Sequence, residues 1–138
     1  PGDPLEVQNI ADEIKKIVGK VPVFGIGLGH QLLAMSFGAQ TIKQKYGHRG
    51  GNQPVKCVES GKVYISTQNH DYAVLTETVR QGKVNFINVN DGSCEGVEYA
   101  KLNALTVQFD PDSCGIGHTD NVVYDAFFKL MKKENEDA

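Results

Sequence analysis

Three glycines at two-residue spacing interrupt an apolar run in Val21-Pro-Val-Phe-Gly25-Ile-Gly27-Leu-Gly29-His-Gln31. A strand that enters a tight, glycine-flanked turn and leaves it as a helix is the layout of a nucleophile elbow. In that motif, Gly-x-Nuc-x-Gly, one reactive side chain stands on a strained turn. The flanking glycines are expected because a Cβ on either side would clash where the backbone closes. Gly25 and Gly29 hold the flanking positions, but the reactive position, 27, is a third glycine. It has no side chain with which to attack a carbonyl. Read instead as a dinucleotide-binding loop, Gly-x-Gly-x-x-Gly, the run fails at its last glycine, where His30 stands. Nor does an acidic residue lie about 20 residues on, where a ribose hydroxyl would be held. No cofactor is therefore expected.

The remaining reactive side chains form no ligand pattern. The four histidines (His30, His48, His70 and His118) lack paired spacing, so no metal is expected. The three cysteines (Cys57, Cys94 and Cys114) are odd in number and widely spaced, which implies neither a zinc site nor a disulfide framework. A reducing, cytoplasmic setting fits them.

The elements that must position these residues follow from periodicity. Leu5, Val7, Ile10, Ile14, Ile17 and Val18 fall near one helical face, with Asp3-Pro4 as N-cap and N1 proline and Gly19 as terminator. Val21–Ile26 reads as a short strand buried on both faces, as in a parallel sheet. A helix over 29–37 follows, ended by Gly38. The middle reads as short strands at 41–45, 52–58, 62–68 and 84–90, parted by glycine-rich turns, with two more at 95–99 and 105–109. Asp120 is expected to cap a last helix through Met131, with Val123, Phe127, Leu130 and Met131 facing inward, before a fraying charged tail. This order predicts an α/β fold: a three-layer sandwich around a mostly parallel central sheet with Val21–Ile26 in the middle.

The chain of 138 residues suits one domain spanning 1–138. Its net charge of −3 argues against nucleic acid, and no apolar run is long enough to span a bilayer. The start, Pro1-Gly-Asp-Pro, is neither basic nor apolar and lacks an initiator Met, so a piece of something longer is expected.

Three blocks carry a resemblance. Phe24-Gly-Ile-Gly-Leu-Gly-His-Gln-Leu-Leu-Ala, Tyr46-Gly-His-Arg-Gly-Gly-Asn-Gln-Pro-Val and Ser66-Thr-Gln-Asn-His-Asp-Tyr-Ala-Val together resemble the class I (triad-type) glutamine amidotransferase domain. More narrowly they look like the glutamine-hydrolysing small subunit of carbamoyl phosphate synthetase, and the similarity runs over nearly the whole chain. The resemblance implies a flavodoxin-like layout and a large synthetase subunit, or a fused synthetase domain, as partner. It also implies a Cys-His-Glu triad, in which a thiolate attacks the glutamine amide, an imidazole moves the proton and a carboxylate orients the imidazole.

Carried over by motif, the thiol position is Gly27, and the family's Val-Gln-Phe-His-Pro-Glu segment reads here Val107-Gln-Phe-Asp110-Pro-Asp112. All three triad positions are therefore substituted. Two neighbouring carboxylates without a cation should repel and raise the pKa of one. Gly2, Leu28, Gln31, Asn69 and Tyr72 match glutamine-binding or oxyanion positions, whereas Asp71 replaces a glycine lying against the bound glutamine. The resemblance thus implies a domain of pyrimidine or arginine biosynthesis that has lost hydrolysis and binds glutamine weakly or not at all. Cys114 as a replacement nucleophile is disfavoured, because adjacent aspartates would raise its pKa. His48 and Arg49 are expected to be structural within a glycine-rich loop, and His70 to hydrogen-bond within its own.

Overall fold

The computed structural model describes residues 2–116 and 120–137, so His118 lies outside the described residues. After a 3-10 turn over Pro4–Val7 come α1 (Gln8–Ile17), β1 (Val23–Ile26), α2 (Leu28–Ser36), β2 (Thr41–Cys57) and β3 (Val63–Val74). Then follow β4 (Lys83–Asn88), β5 (Cys94–Tyr99), β6 (Ala104–Val107), the short pair β7 (Gly115–Ile116) and β8 (Asp120–Asn121), and α3 (Val122–Asp137). The six main strands are ordered β1-β6-β5-β3-β2-β4.

The α/β content is as expected, but the sheet is not mostly parallel. Among the described residues the named strands pair in parallel only at β1 and β6, from Val23 opposite Ala104 to Ile26 opposite Val107. Every other pairing of named strands is antiparallel. The reason is connection length: residues 58–62 join β2 to β3 and 89–93 join β4 to β5, loops too short for a parallel crossover. β5 also pairs with β4, so β5, β3, β2 and β4 close into a four-strand ring. Register shifts between Lys43 and His48 and between Gly50 and Gln53 mark bulges in β2. Bulges bend and twist a strand, and here they let the long hairpin wrap far enough to close. β1, expected to be central, is the edge strand.

The layered arrangement holds around β1 and β6. Val23, together with Ile14 of α1 and Val18 just after it, packs against the buried cluster that includes Leu33 and Ala34 of α2. On the other face Phe24 packs with Val123 of α3, its ring 6.1 Å from Tyr124 and 5.0 Å from Phe127. Only part of the predicted apolar stripe is covered: Leu5 of the 3-10 turn and Ile10 and Ile17 of α1 are exposed. At the chain's other end, α3 is capped by Asn121 rather than Asp120. The Asn121 Oδ1 accepts from the N–H groups of Val123 (3.0 Å) and Tyr124 (3.2 Å). α3 continues through the charged tail to Asp137 instead of fraying at Met131.

Candidate active site

The elbow forms where the glycine pattern put it. Gly27 is the N-cap of α2 with φ +58° and ψ −112°. That lies well outside the left-handed helical well open to other residues. Its N–H donates to the Val107 carbonyl (2.9 Å) and its carbonyl accepts from the Gln31 N–H (3.2 Å), so the turn is stitched to β6 and to its own helix. The flanking glycines differ from each other. A Cβ at Gly25 would lie 3.0 Å from the Thr106 methyl and 3.1 Å from the Gly29 backbone, whereas at Gly29 nothing lies within 4 Å. Only the first flank meets the expected clash.

Because β1 and β6 are parallel, their C-terminal ends open at the same edge, with Gly27 after one and Gln108–Asp110 after the other. β3 comes alongside: Thr67 and Asp110 form an isolated bridge, the Asp110 N–H donating to the Thr67 carbonyl (2.9 Å). Strand alternation then sorts β3 into two sets. Ser66, Gln68 and His70 are buried, while Thr67 and Asn69 are exposed and Asp71 is half-buried. Gln31 is buried, and its amide nitrogen donates to the Tyr72 carbonyl (2.8 Å) and to Gln108 Oε1 (2.7 Å). Both of its donors are committed inside the protein, tying α2, β3 and the end of β6 together. Leu28 and Gly2 are exposed. Partial desolvation together with the carboxylates of Asp3, Glu6 and Asp71 raises the Tyr72 phenol above its ordinary value.

The acidic positions each have their own partner. Asp110 Oδ1 accepts from the Asp112 N–H (3.0 Å), and Asp112 Oδ1 accepts from the Tyr124 hydroxyl on α3 (2.6 Å). That hydrogen bond, with some desolvation, pushes the Tyr124 phenol up to about 12. Asp71 is ion-paired with Arg49. Gly47, with φ +70°, makes room for this pair: a Cβ there would come within 2.8 Å of the Arg49 guanidinium, the His70 carbonyl and the Asp71 carboxylate. Cys114 is buried, and burial first, then the Asp110 charge, pushes its thiol up to about 11. The direction agrees with the reading of neighbouring aspartates, but burial is the larger cause.

The described histidines are all inside. His30 is fully buried with Nδ1 2.8 Å from the Thr106 hydroxyl, and burial, then the neighbouring His70, drives its pKa down to about 3. His48 and His70 belong to strands rather than to loops, since β2 runs unbroken through the glycine-rich block and β3 extends to Val74. Their rings meet edge to face, 4.9 Å apart, inside the closed ring of strands. Glu95 of β5 faces them and is completely buried. Sequence spacing offered no signal for this cluster, since its members lie on three strands.

A strand–turn–helix elbow on a parallel strand pair, with helices on both faces and strand β3 alongside, makes an α/β domain of the elbow type. The sequence matches glutamine amidotransferase class-I over residues 1–130, and the chain belongs to that family. The carbamoyl phosphate synthase small chain, chloroplastic, of Oryza sativa subsp. japonica is 46% identical over 133 residues, covering 96% of this chain and 30% of the relative. The carbamoyl phosphate synthase small chain of Syntrophotalea carbinolica is 43% identical, covering 99% of this chain and 36% of the relative. The chain thus spans about a third of the length of these relatives. Among solved structures, a protein described as a GMP synthase component from Thermoplasma acidophilum superposes with a TM-score of 0.74 at 18% identity, covering 96% of this chain and 67% of that one. A glutamine amidotransferase from Thermotoga maritima gives 0.61 at 24% identity, covering 94% and 56%. Both likenesses show the fold. No helix among the described residues is long and apolar enough to cross a membrane.

Proposed function

We propose that this chain is the glutaminase-type domain of a carbamoyl phosphate synthase small chain in which glutamine hydrolysis has been lost. Its remaining role is structural or regulatory toward a synthetase large subunit or a fused synthetase domain. The observation that carries the reading is Gly27, a residue without a side chain at the turn where the nucleophile would stand. Its surroundings support it. The position that would hold the base is Asp110, and the position that would orient the base is Asp112, whose carboxylate is engaged by Tyr124. None of the described histidines is presented to the turn: His30, His48 and His70 are all buried, His30 Nδ1 lies against the Thr106 hydroxyl and His70 Nδ1 against the Tyr72 carbonyl. A general base without a thiol or hydroxyl to activate does no covalent chemistry.

One observation favours a second reading, a domain that binds glutamine without hydrolysing it. Asp71 is paired with Arg49, so the charge set against a bound α-carboxylate is partly compensated. The test is ammonia release from glutamine by the full-length protein, with labelling by glutamine-analogue electrophiles alongside. The lost-hydrolysis reading expects neither. Turnover abolished by Cys114→Ser would establish a rearranged site instead.

A further inference from the structure

The buried cluster inside the strand ring holds two places where acceptor atoms face each other. His48 Nε2 lies 2.7 Å from the Asp91 carboxylate, so it carries a proton, and in the neutral ring Nδ1 then presents a lone pair. That Nδ1 is 3.2 Å from Glu95 Oε1, yet the pair does not align as a hydrogen bond: Nδ1 and both Glu95 oxygens have no hydrogen-bond partner. His70 Nδ1 lies 2.8 Å from the Tyr72 carbonyl, which can only accept, so Nδ1 carries the proton. In the neutral ring its Nε2 lone pair then faces Gln68 Oε1 at 2.6 Å. Turning the Gln68 amide over does not help. Its nitrogen donates to Ser66 Oγ (3.0 Å), whose own hydroxyl proton is given to the Gln53 carbonyl (2.7 Å), so the flip moves the conflict to Ser66.

We propose that His48, His70 and Glu95 hold one divalent first-row metal ion of the zinc type inside the ring. One ligand atom from each of the three lies within 4.8 Å of the others. The His48–Glu95 separation of 3.2 Å already matches the edge of a tetrahedral site, about 3.3 Å for bonds near 2.0–2.1 Å. Two ligands of one ion aim their lone pairs at a common point off the line joining them, which accounts for a close pair that is not a hydrogen bond. Both histidines have the outer partner that fixes a metal-binding tautomer, a carboxylate for His48 and a backbone carbonyl for His70. Gln68 Oε1, 2.6 Å from His70 Nε2, would be the fourth ligand. Glu95 and the outer Asp91 together balance the charge of the ion, which gives the fully buried Glu95 carboxylate a counter-charge. A buried carboxylate stays charged when it is paired or bound to a metal, and otherwise takes up a proton. The burial of all three ligands makes the site structural rather than catalytic.

The test uses the full chain, stripped with a chelator and titrated with Zn2+ against a competing chelator. The expected result is one Zn2+ per chain and a higher melting temperature. Glu95→Gln should weaken binding more than about 100-fold, and Asp91→Asn, at an exposed outer partner, about 10–100-fold. Cys57→Ser should change nothing, and the Co2+ form should show visible ligand-field bands without thiolate charge transfer. In chelator, Glu95→Gln should melt no lower than the unsubstituted chain, since it removes an uncompensated charge. No stoichiometric Zn2+, binding indifferent to Glu95→Gln, or a thiolate band in the Co2+ form would each overturn the proposal. So would a drop in metal-free stability on Glu95→Gln, which would mean that protons alone hold the cluster.

Discussion

The elbow can be probed without any activity, by placing a methyl group on each of its three glycines. At Gly27 an added Cβ meets nothing within 4 Å, so Gly27→Ala costs only what the backbone charges for φ +58° and ψ −112°. Conformations of this kind cost about 1–3 kcal/mol for a residue with a side chain. At this size each kcal/mol lowers the melting temperature by about 4 °C, so the drop should be about 4–12 °C. Gly25→Ala should cost about 1–3 kcal/mol for a different reason: its Cβ meets the Gly29 backbone at 3.1 Å, and backbone cannot swing aside. Gly29→Ala should stabilise by about 0.4–1 kcal/mol, because Gly29 has open space, no positive φ and a place in the first turn of α2. Urea titration of the three variants gives the ordering. Equal losses at all three positions, or a gain at Gly27, would refute the strained-elbow geometry and with it the assignment of position 27.

Three further outcomes are expected. In the metal-stripped chain, His30 and His70 are held neutral mainly by burial with pKa values of about 3 and about 4, but are protonated on unfolding below about pH 6.5. The unfolded state therefore binds more protons, and stability should fall as pH drops from 6.5 toward 4, by up to about 1.4 kcal/mol per unit for each. Glu95, raised by burial, opposes part of this, so urea midpoints at pH 7 and pH 5 should be compared with those of His30→Asn, whose acid loss should be smaller; an unchanged loss would count against the assignment. Asn121→Ala should cost about 1 kcal/mol by urea, because it removes the cap of α3, and a loss near zero would mean the helix start is held by packing. Asp71→Gly should tighten glutamine binding in calorimetry. Like charges about 4 Å apart cost roughly 4 kcal/mol at a dielectric near 20, and halving that for exposure and the Arg49 partner leaves about 30-fold. Unchanged affinity would remove Asp71 from the pocket.

The parts legible in the sequence are those set by local pattern. Gly25, Gly27 and Gly29 announced the elbow within five residues, and the apolar runs Val21–Ile26 and Leu105–Phe109 were legible as strands, which the structure places side by side in parallel as Val23–Ile26 and Ala104–Val107. What failed was the reading of glycine as a break. Gly47 and Gly50 have φ values of +70° and +105°, yet they lie inside β2, where they mark bulges rather than ends. With β2 cut in two, the long hairpin vanished from the reading, and the ring that it closes with β4 and β5 vanished with it. The ring in turn is what gathers His48, His70 and Glu95, so that cluster could not be found from spacing. Gln31 shows the complementary limit. Its place in the motif was plain, but that its amide is spent on Tyr72 and Gln108 depends on two strands far away in the chain.

The most direct measurement is a glutaminase assay on the full-length protein before and after repair. The unsubstituted protein should release no ammonia from glutamine, and Gly27→Cys alone should release none, because no imidazole stands at position 110 to generate the thiolate. The triple change Gly27→Cys, Asp110→His, Asp112→Glu should give measurable ammonia, and adding Asp71→Gly should raise it mainly through a lower KM. Ammonia release by the unsubstituted protein would contradict the account outright, and a correctly folded quadruple variant that stays silent would show that positions 27, 110 and 112 are not the triad.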